Sequence, residues 1–248
     1  MLRVQAEGEV WKFTRASTRR ARDLYRGARD LDPLWPVPWG CLAWACWFEA
    51  KEGWTDSREK AIAEGIALAE KAIELGPLEP IGYMQLGNLV QLRGDHERAV
   101  ELRERAVQLA PSDFGALCGF GAVLLTAGFT RRALQMLKRA AEVAPRYPPS
   151  LCALTAFAHL VDGDDQAALE MAERAIARGF ESTGVYGVAA MAHAASGRPA
   201  EAKACLDAAL QINPKYTVRE WMVGRGAFRD RAAIEGLSSR LAKAGLPP

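Results

Sequence analysis

What this 248-residue sequence has little of narrows its chemistry before any motif is read. It carries three histidines, five cysteines and an almost even charge balance, 32 basic side chains against 30 acidic ones. A net charge of +2 supplies no overall field with which to hold nucleic acid or an anionic membrane. Cys41, Cys46, Cys118, Cys152 and Cys205 are odd in number, include no C-x-x-C pair and fall inside apolar helical patterns. They read as small core residues of a protein in a reducing compartment, not as a disulfide framework. No stretch reaches the roughly 18 apolar residues that span a bilayer. The opening Met-Leu-Arg-Val-Gln-Ala-Glu-Gly-Glu has acids where a secretory segment is apolar. A cytoplasmic protein is the expectation, with no nucleic acid and no membrane among its partners.

The usual catalytic constellations are missing too. Strand-like alternation is absent, so no Gly-rich phosphate loop follows a strand, and neither G-x-S-x-G nor H-E-x-x-H occurs. His159 and His193 stand 34 residues apart, but their neighbours are Ala, Leu, Phe and Met, and a metal site needs more ligands. The Asp162-Gly163-Asp164-Asp165 run is too short for a calcium loop and falls at an inter-helix turn, where its simplest role is to cap the next helix. No enzyme, no metal and no cofactor are expected.

What is plentiful is periodicity. Ala72, Ala106, Ala140, Ala175 and Ala209 are spaced 34, 34, 35 and 34 residues apart, which is the spacing of a stacked repeat array. Pro77, Pro111, Pro145 and Pro214 each follow one of these alanines by five residues, and Phe180 stands where the remaining proline would be. Glycine breaks recur at Gly94, Gly128, Gly163 and Gly197, so each period is one helix-turn-helix. Small residues at Gly87, Gly121, Ala156 and Ala190 mark where the two helices of a unit approach closely. Backwards, Ala21, Tyr25, Ala28 and Pro33 repeat the second-helix signature, with Val4 to Phe13 as the first helix of that unit. From Pro33 to Pro77 the step lengthens by ten residues, and a bulging turn from Lys51 to Ser57 is the expected place for them.

Tyr83, Leu86, Gly87, Val90, Ala99, Arg103, Ala106 and Pro111 resemble the pattern of the tetratricopeptide repeat (TPR) family, with two aromatic positions substituted. The resemblance implies an all-α, right-handed α-solenoid of about six units, near 2–33, 36–77, 80–113, 114–147, 149–180 and 182–215, that binds proteins or peptides. Residues 216–229 then connect to an amphipathic helix and tail, 230–248, expected to cap the last repeat. It also implies that the first helix of each unit lines a concave groove. The corresponding positions include Trp44, Trp47 and Phe48; Met84, Asn88 and Gln91; Leu125; Phe157; and Met191. These are the candidate partner-binding residues. The groove is apolar, and of the Lys, Arg and Asn set with which some TPR domains hold a chaperone's C-terminal carboxylate only Asn88 is present.

Two further features stand out. Trp35, Trp39, Trp44, Trp47 and Trp54 crowd into twenty residues, with Trp39 and Trp44/Trp47 on different helix faces. Either the long insert folds over them or Trp44 and Trp47 form an exposed patch suited to a partner or to a homodimer. Arg15, Arg19, Arg20, Arg22, Arg26 and Arg29 read as a solvated helix face. The segment FRDRAAIEGLSSRLAKAGLPP, with the early W-K-F-T, resembles the TPR regions that follow class III adenylate/guanylate cyclase domains or winged-helix regulators. The sequence therefore reads as a non-catalytic protein- or peptide-binding scaffold. Its alternatives are a regulatory or dimerisation module of a nucleotidyl cyclase or transcription regulator, and a small-molecule sensor.

Overall fold

The computed structural model of the chain describes Gln5, Glu9, residues 14–223 and residues 228–248. Among them lie thirteen helices and no strand: α1 (Arg15–Leu31), α2 (Pro36–Glu52), α3 (Arg58–Leu75), α4 (Pro80–Leu92), α5 (His96–Leu109), α6 (Phe114–Thr126), α7 (Thr130–Val143), α8 (Ser150–Asp162), α9 (Asp165–Ala177), α10 (Thr183–Ala195), α11 (Pro199–Ile212), α12 (Val218–Val223) and α13 (Arg231–Lys243). The chain divides into two compact units, Met1–Gly119 and Phe120–Pro248. In the first, α2 pairs with α3 and α4 with α5, and α2 also touches α4. In the second, α8 pairs with α9 and α10 with α11, and α8 also touches α10. Contact between alternate as well as successive helices is how an α-solenoid builds its core. The helix expected from Val4 to Phe13 lies outside the described residues, apart from Gln5 and Glu9, which are helical.

The alanine and proline beat is a helix-ending device. Ala28, Ala72, Ala106, Ala140, Ala175 and Ala209 are all buried. The carbonyls of Ala28, Ala72, Ala106 and Ala209 accept the N–H of the C-cap residue at 3.0–3.2 Å. A proline ring disfavours helical ψ in the residue before it. Accordingly the C-caps Asp32, Gly76, Ala110, Ala144 and Asn213 leave the helix with ψ between 72° and 99°. Where Phe180 replaces the proline, the ending changes type. Arg178 keeps ψ at 14°, Gly179 turns left-handed at φ 80°, and the Phe180 N–H returns to the Ala175 carbonyl at 3.0 Å.

Close helix approach follows the small residues. A Cβ at Gly121 would stand 2.7 Å from Leu137 and 3.4 Å from the Ala133 carbonyl; one at Gly87 would stand 3.3 Å from the Ala99 carbonyl. Ala156 and Ala190 are buried at the equivalent places. The ten extra residues, in contrast, do not make a bulging turn from Lys51 to Ser57. Helices α2 and α3 are 17 and 18 residues long, against 13 and 14 for α4 and α5, so most of the insert lengthens the helices and the turn is confined to residues 53–57. Nothing opposes helix extension here: the insert is free of proline beyond Pro38, and Gly53 at φ 68° provides the stop.

At the C-terminus the chain adds two helices. Short α12 buries Trp221 in the core of the second unit, together with Tyr216 from the preceding loop. Asp230 caps α13, its carboxylate accepting the Ala233 N–H at 2.9 Å, and Ile234, Leu237 and Leu241 bury one stripe of it. The Val218 N–H donates to the Pro247 carbonyl at 2.8 Å, tying the tail back to α12.

Candidate functional site

In the first unit the aromatic cluster is organised around Phe48, which is buried. Trp44 stacks on it at 5.2 Å between ring centroids, Trp47 tilts against it at 6.0 Å, and Trp54 from the turn meets it edge-on at 5.3 Å. The turn thus does fold onto the cluster, but Trp44 and Trp47 remain only half-buried. Lys51 holds its ammonium 5.5 Å from the Trp47 ring and 5.6 Å from the Phe48 ring, placing a cation at the rim. On α4, which α2 touches, Met84 and Gln91 are also half-buried.

Asn88 lies between Met84 and Gln91 in sequence but is buried, and its amide is committed internally. Its Nδ2 donates to Gln85 Oε1 at 3.0 Å, and its Oδ1 accepts from Arg103 Nη2. Arg103 occupies an aromatic position of the repeat pattern, yet its guanidinium is enclosed; a Cβ at Gly119 would overlap it. Burial lowers the Arg103 pKa to about 10, against the opposing charges of Asp113 and Cys118. As a partner contact Asn88 is therefore replaced by a structural role: a buried arginine needs an acceptor, and Asn88 supplies it. Sequence reasoning passed over Arg103, although a charged residue in an aromatic slot beside Gly87 and Gly119 was a visible signal.

The arginine-rich face of α1 is not uniformly solvated. Arg22 reaches Glu49 on α2 at 2.6 Å and Glu64 on α3 at 2.5 Å, and lines a polar cavity of about 340 Å³ with Arg15, Arg19, Arg26 and Trp54. Arg29 packs over Trp39, 5.5 Å from the ring centroid, while Arg15, Arg19, Arg20 and Arg26 are exposed.

In the second unit the expected groove positions are covered from within the chain. Leu125 and Met191, at 2% and 1% exposure, are core side chains and present no surface. Phe157 is half-buried and faces two aromatic rings of the C-terminal segment, Phe228 at 5.7 Å and Trp221 at 6.4 Å. Gly187 lies against the Tyr216 hydroxyl and Leu241. The C-terminal segment thus does more than close the end of the last repeat. Its apolar stripe is drawn onto the first helices α8 and α10, whose Phe157, Gly187 and Met191 give it complementary apolar surface. A separate apolar cleft of about 410 Å³ is lined by Leu137, Leu151, Cys152, Met171 and Tyr147, with Lys138, His159 and Arg174 among its polar residues. His193 is buried with Nε2 3.9 Å from Glu173.

Residues 183–216, comprising α10 and α11 with the following loop, match the tetratricopeptide repeat family. The chain has the tetratricopeptide-repeat fold. Solved structures superpose along most of its length. The APC/C hetero-tetramer Cut9-Hcn1 aligns with a TM-score of 0.70 at 17% identity, over 86% of this chain and 40% of that one. The pilF protein of Pseudomonas aeruginosa gives 0.62 at 14% identity, over 85% and 91%. YrrB, described as a TPR protein with an unusual peptide-binding site, gives 0.54 at 18% identity, over 77% and 93%. The chain therefore spans well under half of the Cut9-Hcn1 chain it matches and nearly the whole of the other two. No curated protein sequence matches it significantly. Among the described residues, no helix of this TPR array is long and apolar enough to cross a membrane.

Proposed function

We propose that the chain is a non-catalytic scaffold that binds a protein or peptide through the surface of α2 and α4 in its first unit. The observation that carries this reading is the half-buried pair Trp44 and Trp47, packed around Phe48 and rimmed by Lys51, on a helix that touches α4 with its half-buried Met84 and Gln91. Aromatic residues held rigid by neighbours make large, low-entropy contacts and dominate binding energy at interfaces. An apolar segment with an acidic residue positioned for Lys51 is the ligand that this surface favours. A TPR neighbour with a peptide-binding site, YrrB, lends general support.

Titration of the intrinsic tryptophan emission with a library of apolar and acidic peptides tests the proposal. Apolar segments bearing one acid are expected to shift the emission of the wild type and not of the Trp44→Ser, Trp47→Ser double variant. A preference for all-acidic C-termini, or equal binding by the double variant, would count against it. A homodimer formed through the same tryptophans is the nearest rival partner, and a mass by light scattering that halves in the double variant would identify it. A second reading, small-molecule sensing, is favoured by the 410 Å³ apolar cleft with Arg174 and Lys138 among its residues. The regulatory-module reading, beside a nucleotidyl cyclase or in a transcription regulator, rests on the likeness of the C-terminal segment, and the reading frame next to this one in the genome decides it.

A further inference from the structure

The apolar cleft of about 410 Å³ lined by α7, α8 and α9 lies where the chain carries small or polar residues at places that are large and apolar in other repeats. At the position of Ala141 the other units have Ile73, Val107, Ile176 and Leu210. Cys152 stands where Tyr83, Leu117 and Tyr186 recur, and Thr155 where the two preceding units have Leu86 and Phe120. Three side chains at one place thus fall short of the volume of their counterparts, and a core that loses side-chain volume keeps part of it as a void.

The floor of the cleft is formed by Leu137, Leu151 and Cys152, all buried. One wall is Tyr147, from the loop that holds the extra residue of the 35-residue step. Arg174 and Arg178 pack on its ring at 5.8 and 4.9 Å from the centroid. The Tyr147 carbonyl accepts from Arg178 Nη2 at 2.6 Å, and its N–H donates to the Ala144 carbonyl at 2.8 Å. The wall is therefore ordered before any ligand arrives. This is not the side of α8 that meets the C-terminal segment. At 3.6 residues per turn Cys152, Thr155 and His159 share one side of the helix, and Phe157, which faces Phe228, lies on the other.

The charged groups of the cleft have one sign. Lys138 and Arg174 line it and are exposed, and no acidic residue is among its described lining residues. Neither cation has a carboxylate partner among the described residues. Lys138 also departs from the repeat, because Glu70, Glu104, Glu173 and Asp207 hold its position in the other units. Water over an apolar floor finds few hydrogen-bond partners, so an apolar group that displaces it gains free energy. The two free cations favour a negative charge at the end of that group.

We infer that this cleft is a binding site for a small amphiphilic carboxylate, with its alkyl or aryl body on Leu137, Leu151 and Met171 and its head group paired with Lys138 and Arg174. The inference rests on the small-molecule reading of the chain and fixes the class of ligand.

Isothermal titration calorimetry of the full chain with octanoate, 1-octanol and octylammonium is the test. Octanoate is expected to bind saturably, octanol about fivefold or more weakly, and octylammonium not measurably. Lys138→Glu, which gives this exposed position the acid of the other units, should weaken octanoate about tenfold and leave octanol within about twofold. Ala141→Ile, which fills the cleft, should abolish binding of both; if circular dichroism shows that it does not fold, Thr155→Leu takes its place with the same expectation. Octanol or octylammonium bound as tightly as octanoate, or octanoate binding unmoved by Lys138→Glu, overturns the ligand class and leaves the small-molecule reading standing. Binding that survives in a folded, filled variant overturns the site. Absence of binding by all three probes overturns the inference and the small-molecule reading together.

Discussion

Arg103 is the residue whose placement costs most and explains most locally. Its buried guanidinium donates to Asn88 and fits where Gly119 leaves room, so the Arg103 and Asn88 side chains should be energetically coupled. A double-mutant cycle of Arg103→Met and Asn88→Leu, read by urea denaturation, is expected to give a coupling of about 1–3 kcal/mol. Additive single effects would remove the network from the account. Cys46 offers a second test. Burial pushes its thiol up to about 12 from an ordinary 9.0, opposed by Arg22. A raised acid favours the protonated form in the folded chain, so its contribution is whole below pH 9 and is lost as pH climbs towards 12. The urea midpoint of the wild type should therefore fall over that window more steeply than that of Cys46→Ala, and parallel curves would contradict the assignment. The same thiol should resist alkylation at neutral pH until the chain unfolds.

At the scale of elements, the helix endings separate what a sequence shows from what it conceals. Pro33, Pro77, Pro111 and Pro214 act on the residue directly before them, a local steric effect that any reader of the chain can apply. Phe180 breaks the pattern, and the structure gives the reason that restoring it would be harmful: Gly179 is left-handed, and the Phe180 N–H is bonded to Ala175. Phe180→Pro, the consensus residue, should thus destabilise the second unit by about 1–3 kcal/mol in thermal denaturation, and a gain in stability would contradict this. The ten-residue insert was legible as an excess but not as longer helices, because apolar continuity from Trp39 to Phe48 suits a helix or a packed turn equally well. Likewise α13 was legible from Asp230 and Gly245, but its seat on α10 was not. A cap is a local hydrogen bond, whereas the seat depends on Gly187, more than forty residues away in the chain. Asp230→Ala should cost about 1 kcal/mol and loosen hydrogen exchange across α13 before the rest of the unit.

Across the whole molecule, repetition made the architecture readable and left the partner surface to the residues between the beats. The alanines and glycines recur because every unit must solve the same packing problem; Trp44, Trp47, Met84, Asn88 and Gln91 do not recur, and they did not share one fate on folding. Asn88 was taken up by Arg103, Leu125 and Met191 by the core, and Phe157 by the C-terminal segment. Trp44 and Trp47 stay half-buried, and the proposed partner contact lies there. The most direct test is paired affinity capture from the native host, using the wild type and the Trp44→Ser, Trp47→Ser variant after circular dichroism has shown equal helix content. The account predicts a partner retained by the wild type and lost by the variant; the same proteins recovered in equal amounts by both would contradict it.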